Sequence, residues 1–182
     1  MKYDFDRVID RRGTGALKIE VLKERYGRDD LIPLWVADMD FLSPPAIGEV
    51  ISERCKHNLY GYTNPDQSYY DSIINWVGRR HNWKIEQEWL SYIPGIVKGI
   101  AFVIDCFTTR DDKVVIQPPV YHPFRIVPTL HHRAVVDNSL VLDAGKYKMD
   151  LDGLKKVIDT SCKILILCNP HNPDPSGIDR YS

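Results

Sequence analysis

The sequence predicts an α/β fold in which a mostly parallel sheet is covered by helices. Strand-like and helix-like segments alternate through the second half of the 182-residue chain. The strand candidates at residues 113–117 (KVVIQ) and 163–168 (KILILC) have continuous apolar centres, as strands buried on both faces do. Because ligands bind beyond the carboxyl ends of such strands, the loops that follow them are the first candidates for a site.

The first part of the chain predicts fewer regular elements. Residues 1–32 are polar and charged and indicate an irregular arm. Residues 31–41 are largely apolar and predict an extended segment. Two prolines at positions 44 and 45 predict the start of a helix, since proline suits a first helical turn. The apolar stripe of that helix consists of Ile47, Val50, Ile51 and Cys55.

The remaining elements follow from periodicity and turn residues. Their predicted order is a helix at 68–81, a strand at 90–93, a helix at 96–107, a strand at 113–117, a helix at 121–130, a strand at 134–136, a helix at 150–160 and a strand at 163–168. This alternation predicts parallel strands joined by helices.

Composition excludes several classes of protein. Apolar residues make up 43% of the chain and charged residues 27%, which excludes a disordered chain. The net charge is −1, so no basic excess is available for nucleic acid or for an anionic membrane. The four cysteines show no C-x-x-C spacing, and no metal site is expected. The charged start of the chain and the lack of a long apolar run predict a cytoplasmic protein.

Four loops could carry chemistry. Residues 94–99 (PGIVKG) place a glycine turn before a helix, whose first free N–H groups suit a phosphate; an ordinary strand-to-helix turn has the same pattern. Residues 117–124 (QPPVYHPF) present Tyr121, which could stack on a planar ring or simply cover the end of the sheet. His122 is a possible acid or base, although a surface histidine is the simpler interpretation.

The third loop, residues 168–173 (CNPHNP), follows a predicted buried strand and contains two Asn-Pro pairs. Proline restricts the residue before it, so the asparagine amides are held outside any helix and could donate to a phenolate-like oxygen. Asparagine in an ordinary turn is the alternative. The loop at residues 60–62 (YGY) offers a tyrosine hydroxyl for a phosphate or an aromatic anchor for the loop.

These segments occur in one order along the chain and resemble a known family. The strings are WVADMDF at 35–41, GYT at 61–63, PGIV at 94–97, PVYHPF at 119–124 and CNPHNP at 168–173. They are similar to the cystathionine β-lyase (C–S lyase) branch of the class I/II aminotransferase superfamily, whose enzymes depend on pyridoxal 5′-phosphate. The resemblance covers about residues 5–173.

The resemblance implies an incomplete large domain of fold type I, with helices on both faces of the sheet. It implies an N-terminal arm and small-domain segment at 1–45, the cofactor-binding part at 46–173 and a divergent tail at 174–182. The cofactor phosphate would be held by backbone N–H groups of Ile96 and Val97. Further implied contacts are ring stacking on Tyr121 and a hydrogen bond from Asn172 to the 3′-oxygen.

Two further roles are implied for the first part of the chain. Tyr62 would reach the phosphate from the neighbouring subunit of a homodimer. Val36, Ala37 and Asp38 would line the pocket near the carboxylate of an amino-acid substrate. The implied reaction is α,β-elimination on cystathionine or another cysteine S-conjugate, which releases a thiol, pyruvate and ammonia.

The family's Schiff-base lysine lies beyond the last matching string. None of the lysines of this chain stands in its place, so no catalytic residue is expected in this segment and the chain alone is expected to be inactive. Two alternatives remain open. An aminotransferase would share every loop above, and a non-catalytic binding or assembly module would need no lysine.

Overall fold

A computed structural model describes residues 3–173, which form two compact units that divide between Pro65 and Asp66. The first unit contains three helices: α1 spans Leu17–Glu20, α2 spans Leu22–Tyr26 and α3 spans Pro45–Lys56. The segment between α2 and α3 contains neither helix nor strand. The expected domain boundary after residue 45 stays a prediction.

Helix α3 begins at Pro45, as the two prolines predict. Its apolar stripe, however, is not buried within the first unit. Ile47 is 51% exposed and Val50 is 69% exposed, and no residue of α3 is buried. An amphipathic helix gains most of its stability by packing its apolar face, so within the described residues α3 lacks that contribution.

The second unit contains the remaining helices and all five described strands. After α4 (Gln67–His81) and a 3₁₀ turn (Gln87–Trp89), its elements are α5 (Ile96–Phe107), β1 (Lys113–Ile116), α6 (Pro123–Leu130), β2 (Ala134–Asp137), β3 (Val141–Asp143), β4 (Lys146–Lys148), α7 (Leu151–Val157) and β5 (Cys162–Leu165). Asp66 caps α4 by accepting a hydrogen bond from the backbone N–H of Tyr69 at 3.1 Å.

The main sheet has three parallel strands in the order β2-β1-β5. Val114 in the central strand is paired with Val135 on one side and Ile164 on the other. The predicted parallel sheet is therefore confirmed. Since all three strands run in one direction, the loops after β1 and β5 leave the sheet on the same side, at the carboxyl ends of the strands.

One apolar core holds this unit together. It consists of Ile104, Val114, Ile116, Phe124 and Val127. These residues come from α5, β1 and α6, so the two helices pack on the central strand. Burial of continuous apolar strands under helices is the main stabilising contribution expected of such a layer.

One predicted strand is absent from the structure, and one hairpin is present that the sequence does not predict. The strand expected at 90–93 is absent. These residues follow the 3₁₀ turn and pair with no strand among the described residues. They are followed by Pro94, which has no N–H to donate to a neighbouring strand. The hairpin β3–β4 was not predicted. Its turn holds Ala144 and Gly145 at φ 47° and φ 80°, the left-handed pair that a two-residue hairpin needs.

The helix expected at 150–160 is shorter than predicted. Asp150 caps its start by accepting from the Gly153 N–H at 2.7 Å, and the backbone becomes extended at Ile158. Within residues 3–173 no helix is long and apolar enough to cross a membrane. The same residues contain no group of three or more metal-ligating side chains.

Candidate functional site

The start of α5 is a free helix N-terminus. Gly95 has φ 102° and ψ 147°, a backbone region that side-chain-bearing residues rarely adopt. The Gly99 N–H donates to the Gly95 carbonyl at 3.1 Å, so the N–H groups of Ile96 and Val97 precede the helical hydrogen-bond ladder. No side chain caps this end and no acidic residue lies in the first turn. This turn suits an anion, although it does not follow a strand as the sequence predicts.

Tyr121 lies just beyond the carboxyl end of β1. Its ring contacts Phe124 edge-on, with 5.9 Å between ring centroids, and 37% of the residue is exposed. Tyr121 and Pro173 line the same shallow groove, of about 320 Å³. The structure thus brings Tyr121 and the loop that contains Asn172 to one edge of the sheet. His122 is exposed, in line with the surface interpretation.

The loop after β5 is braced from within. The backbone N–H of Asn172 donates to Sγ of Cys168 at 3.3 Å, and Cys168 also packs on the apolar core. Asn172 itself is exposed, and its side-chain amide has no hydrogen-bond partner in the part of the chain that the structure describes. The amide is therefore free to contact a ligand.

His171 is a site residue that sequence reasoning missed. It is 5% exposed, and its Nε2 lies 2.6 Å from the carbonyl oxygen of Pro119, to which it donates. Its Nδ1 lies 3.3 Å from the carbonyl oxygen of Cys168. His171 therefore links the loop of Asn172 to the loop of Tyr121. The only signal in the sequence is its place between two Asn-Pro pairs.

The end of β1 is held by a second buried contact. Gln117 is 2% exposed, and its Nε2 donates to Oδ1 of Asn138 at 3.1 Å. Asn138 in turn donates to the carbonyl oxygen of Asp150 at 2.9 Å. Buried amides paired in this way resist displacement, so the prolines that follow β1 start from a fixed position.

The predicted substrate segment lies in the first unit and has an unusual backbone. Val36 has φ 59°, a left-handed conformation that a β-branched residue rarely adopts. Two residues later, the Asp38 carboxylate accepts a hydrogen bond from Nη2 of Arg11 at 2.6 Å. The Asp38 carbonyl oxygen accepts another from Nζ of Lys18 at 2.8 Å. Ala37 lies between these two positions.

Asp40 completes a closed set of contacts with the same two cations. Nη1 of Arg11 donates to Asp40 at 3.0 Å, and Nζ of Lys18 donates to it at 2.7 Å. The Arg11 hydrogen bond holds the pKa of Asp38 below its ordinary value, and the Lys18 hydrogen bond does the same for the pKa of Asp40. The Asp40 hydrogen bond in turn raises the pKa of Lys18.

Tyr62, the predicted phosphate contact, also belongs to the first unit. Its side chain is fully exposed and packs on nothing within that unit. Its predicted role, like the roles of Ile96, Val97, Tyr121 and Asn172, stays a prediction.

A family model for class I and II aminotransferases matches residues 29–180. The chain belongs to the class I and II aminotransferase family. The resemblance identified from the motif strings is thereby confirmed. The aminotransferase-family match covers most of the chain and includes residues of both compact units.

Similar proteins include C–S lyases. Cystathionine beta-lyase PatB from Bacillus subtilis (strain 168) is 41% identical over 178 residues, which is 97% of this chain and 46% of that protein. The crystal structure of cystalysin from Treponema denticola, which contains a pyridoxal 5′-phosphate cofactor, has a TM-score of 0.89 at 32% identity. The match covers 95% of this chain and 45% of the cystalysin chain.

A PLP-bound C–S lyase from Staphylococcus hominis gives a TM-score of 0.87 at 36% identity, over 95% of this chain and 44% of that one. These likenesses confirm the fold type I class of this family member. The chain spans about half the length of the curated relatives it matches, with 46% and 44% coverage of the first two.

Proposed function

We propose that this chain is part of a pyridoxal-phosphate-dependent C–S β-lyase that acts on cystathionine or a related cysteine S-conjugate. The observation that carries the proposal is the 41% identity to a cystathionine beta-lyase over 97% of the chain. The products would be a thiol, pyruvate and ammonia. We also propose that the protein is located in the cytoplasm.

The second unit fits the proposed cofactor. The free N–H groups of Ile96 and Val97 would bind its phosphate, because a helix N-terminus without acidic residues favours an anion. The half-exposed ring of Tyr121 would stack on the pyridine ring. The unpartnered amide of Asn172 would donate to the 3′-oxygen of the cofactor. His171 would keep Tyr121 and Asn172 at a fixed separation through its hydrogen bond to Pro119.

The first unit would contribute the substrate side. Val36, Ala37 and Asp38 would orient the substrate near its carboxylate. The exposed hydroxyl of Tyr62 would reach the phosphate bound by a second copy of the protein in a homodimer. The full exposure of Tyr62 supports such a contact, since its apolar ring would then be buried between subunits.

When bound, pyridoxal phosphate supplies an electron sink that stabilises negative charge at the substrate α-carbon. The residues of this chain bind and orient the cofactor and the substrate. The lysine that carries the cofactor would lie in a further segment of the protein. We therefore expect no turnover from residues 1–182 alone.

The test is a pyruvate assay on the full-length protein with cystathionine and without an added keto acid. Release of pyruvate supports the lyase. An aminotransferase, which the family match also permits, would produce keto acid only when a second keto acid accepts the amino group. Failure of the purified protein to bind pyridoxal phosphate would overturn both proposals and favour a non-catalytic module.

A further inference from the structure

Four charged side chains of the first unit form a closed ring of ion pairs, which we call the ion ring: Arg11, Lys18, Asp38 and Asp40. Each carboxylate contacts both cations through different oxygens. Asp38 contacts Arg11 with one oxygen and Lys18 with the other, and Asp40 does the same. The partners are 20 to 29 residues apart in sequence, so the ring ties the arm to the segment that carries WVADMDF.

Lys18 is the fixed point of the ring. It is 4% exposed, an unusual position for a lysine, which is almost never fully buried unless it is paired. Its ammonium group has three acceptors within reach: the Asp38 carbonyl oxygen at 2.8 Å, the Asp40 carboxylate at 2.7 Å and the Asp38 carboxylate at 3.3 Å. Three donors and three acceptors leave this buried cation fully satisfied.

The ring acts on the backbone as well as on side chains. Lys18 donates to the carbonyl oxygen of Asp38, two residues beyond Val36. Val36 is 43% exposed, so packing of its own side chain does not explain its left-handed φ of 59°. A strained backbone persists only where the surrounding structure determines it. Two contacts flank Val36: Arg25 lies 4.6 Å above the Trp35 ring on one side, and the ion ring holds Asp38 on the other. Of these two, the ion ring is the one that binds the backbone of the segment, through the Asp38 carbonyl oxygen.

We propose that the ion ring positions residues 36–38. It holds them in the conformation in which Val36 has a left-handed φ. In this way it shapes the part of the pocket that binds the carboxylate of the substrate. This inference rests on the proposed function, because it takes residues 36–38 as substrate-binding. Lys18 acts here through the backbone carbonyl of Asp38, and Arg11 acts through the carboxylates of Asp38 and Asp40. Both are positioning residues and are assigned no contact with the substrate.

Two variants of the full-length protein test this positioning role. Lys18→Met keeps the length of the side chain and removes its charge. Without cofactor, amide hydrogen exchange of residues 36–40 is expected to become about tenfold faster, because the backbone is released from a strained state. With cofactor and cystathionine, KM is expected to rise about tenfold while kcat changes less than about twofold, as for the loss of a binding interaction that is equally strong in the ground state and the transition state.

Val36→Gly supplies the rescue. Glycine adopts a left-handed φ without strain, so adding this change to Lys18→Met is expected to lower KM again by at least about threefold. Arg28→Met is the matched control, since the exposed Arg28–Asp30 pair belongs to the same unit and lies outside the ring. It should leave exchange and KM unchanged.

Two outcomes would overturn the proposal. One is a Lys18→Met variant that matches Arg28→Met in both exchange and KM. The other is a double variant in which Val36→Gly restores nothing. If Lys18→Met does not fold, Asp40→Asn removes one charge from the more exposed side of the ring and decides the same question. A wild-type protein that releases no pyruvate refutes the proposed function, whereas the exchange result still decides the role of the ring.

Discussion

The imidazole of His171 donates to the carbonyl oxygen of Pro119 across 2.6 Å, although the two residues are 52 positions apart. Pro119 follows β1 and His171 follows β5, so this single hydrogen bond joins the two loops that carry Tyr121 and Asn172. A ligand held by both loops depends on that link for their separation.

We expect His171→Ala to lower the free energy of unfolding by about 2 kcal/mol, because it removes a buried imidazole together with its hydrogen bond to the carbonyl oxygen of Pro119. Urea unfolding measures the loss. His122→Ala is the control, since His122 is exposed, and it should change the free energy by less than about 0.5 kcal/mol. Equal effects of the two variants would contradict a special role for His171.

Gly95→Ala is expected to cost about 1–3 kcal/mol of stability, because alanine is strained at φ 102° although its Cβ would meet open space. The change should also weaken binding of pyridoxal phosphate, measured by equilibrium titration. Gly78→Ala, inside α4, should instead stabilise the protein by about 0.5–1 kcal/mol. Gly95→Ala behaving like Gly78→Ala would show that the turn tolerates a side chain.

The ion ring predicts a pH dependence with a definite sign. Asp38 and Asp40 have folded-state pKa values below their ordinary 3.8, so their contribution to stability is present above that pH and is lost as the pH falls through the lowered values. Lys18 has a pKa raised above 10.5, so its contribution is lost only as the pH rises beyond that value. Between these limits the ring should contribute a constant amount.

The measurement is acid unfolding of the first unit, followed by Trp35 fluorescence in a background where the other three tryptophans are phenylalanine. Arg25 lies 4.6 Å above the Trp35 ring, which makes its emission a reporter of this unit. Asp40→Asn should flatten the acid limb of the profile. An unchanged limb would mean that the ring does not contribute to stability.

Strand β5 is an edge of the described sheet, with Leu165 44% exposed beside unpaired backbone groups. We expect the purified 182-residue chain to self-associate through this edge, as exposed apolar edges do. Size-exclusion chromatography should show species larger than 21.0 kDa, and Leu165→Lys should reduce them. Leu142→Lys on β3 is the control. A stable wild-type monomer would contradict this expectation.

Local sequence signals predict the elements that depend on their own residues. The bounds of α5 match the prediction, and β1 differs from it only at Gln117, because a continuous apolar run and a glycine turn determine both. Residues 90–93 (LSYI) are also largely apolar, but a strand needs a neighbouring strand, and periodicity does not reveal one. The Ala144–Gly145 turn lacks the usual Asn-Gly signal, so its hairpin was missed.

The candidate site likewise contains residues that local sequence predicts and residues that it does not. The glycine turn before Ile96 and the position of Tyr121 after β1 follow from short stretches of sequence. The ion ring does not, because Arg11 and Asp38 are 27 residues apart and only the folded chain brings them together. The same holds for His171, whose partner is determined by the parallel order of β1 and β5.

The ion ring contains two positive and two negative charges within hydrogen-bonding distance, so its net charge is zero. The electric field of such a group falls off faster with distance than that of a single cation. Dissolved salt therefore has little effect on the field outside the ring. Under the proposed function, the ion ring would therefore not attract an amino-acid carboxylate to residues 36–38 from a distance. These residues would recognise the carboxylate on contact, and the rate of its capture at this segment should be insensitive to ionic strength.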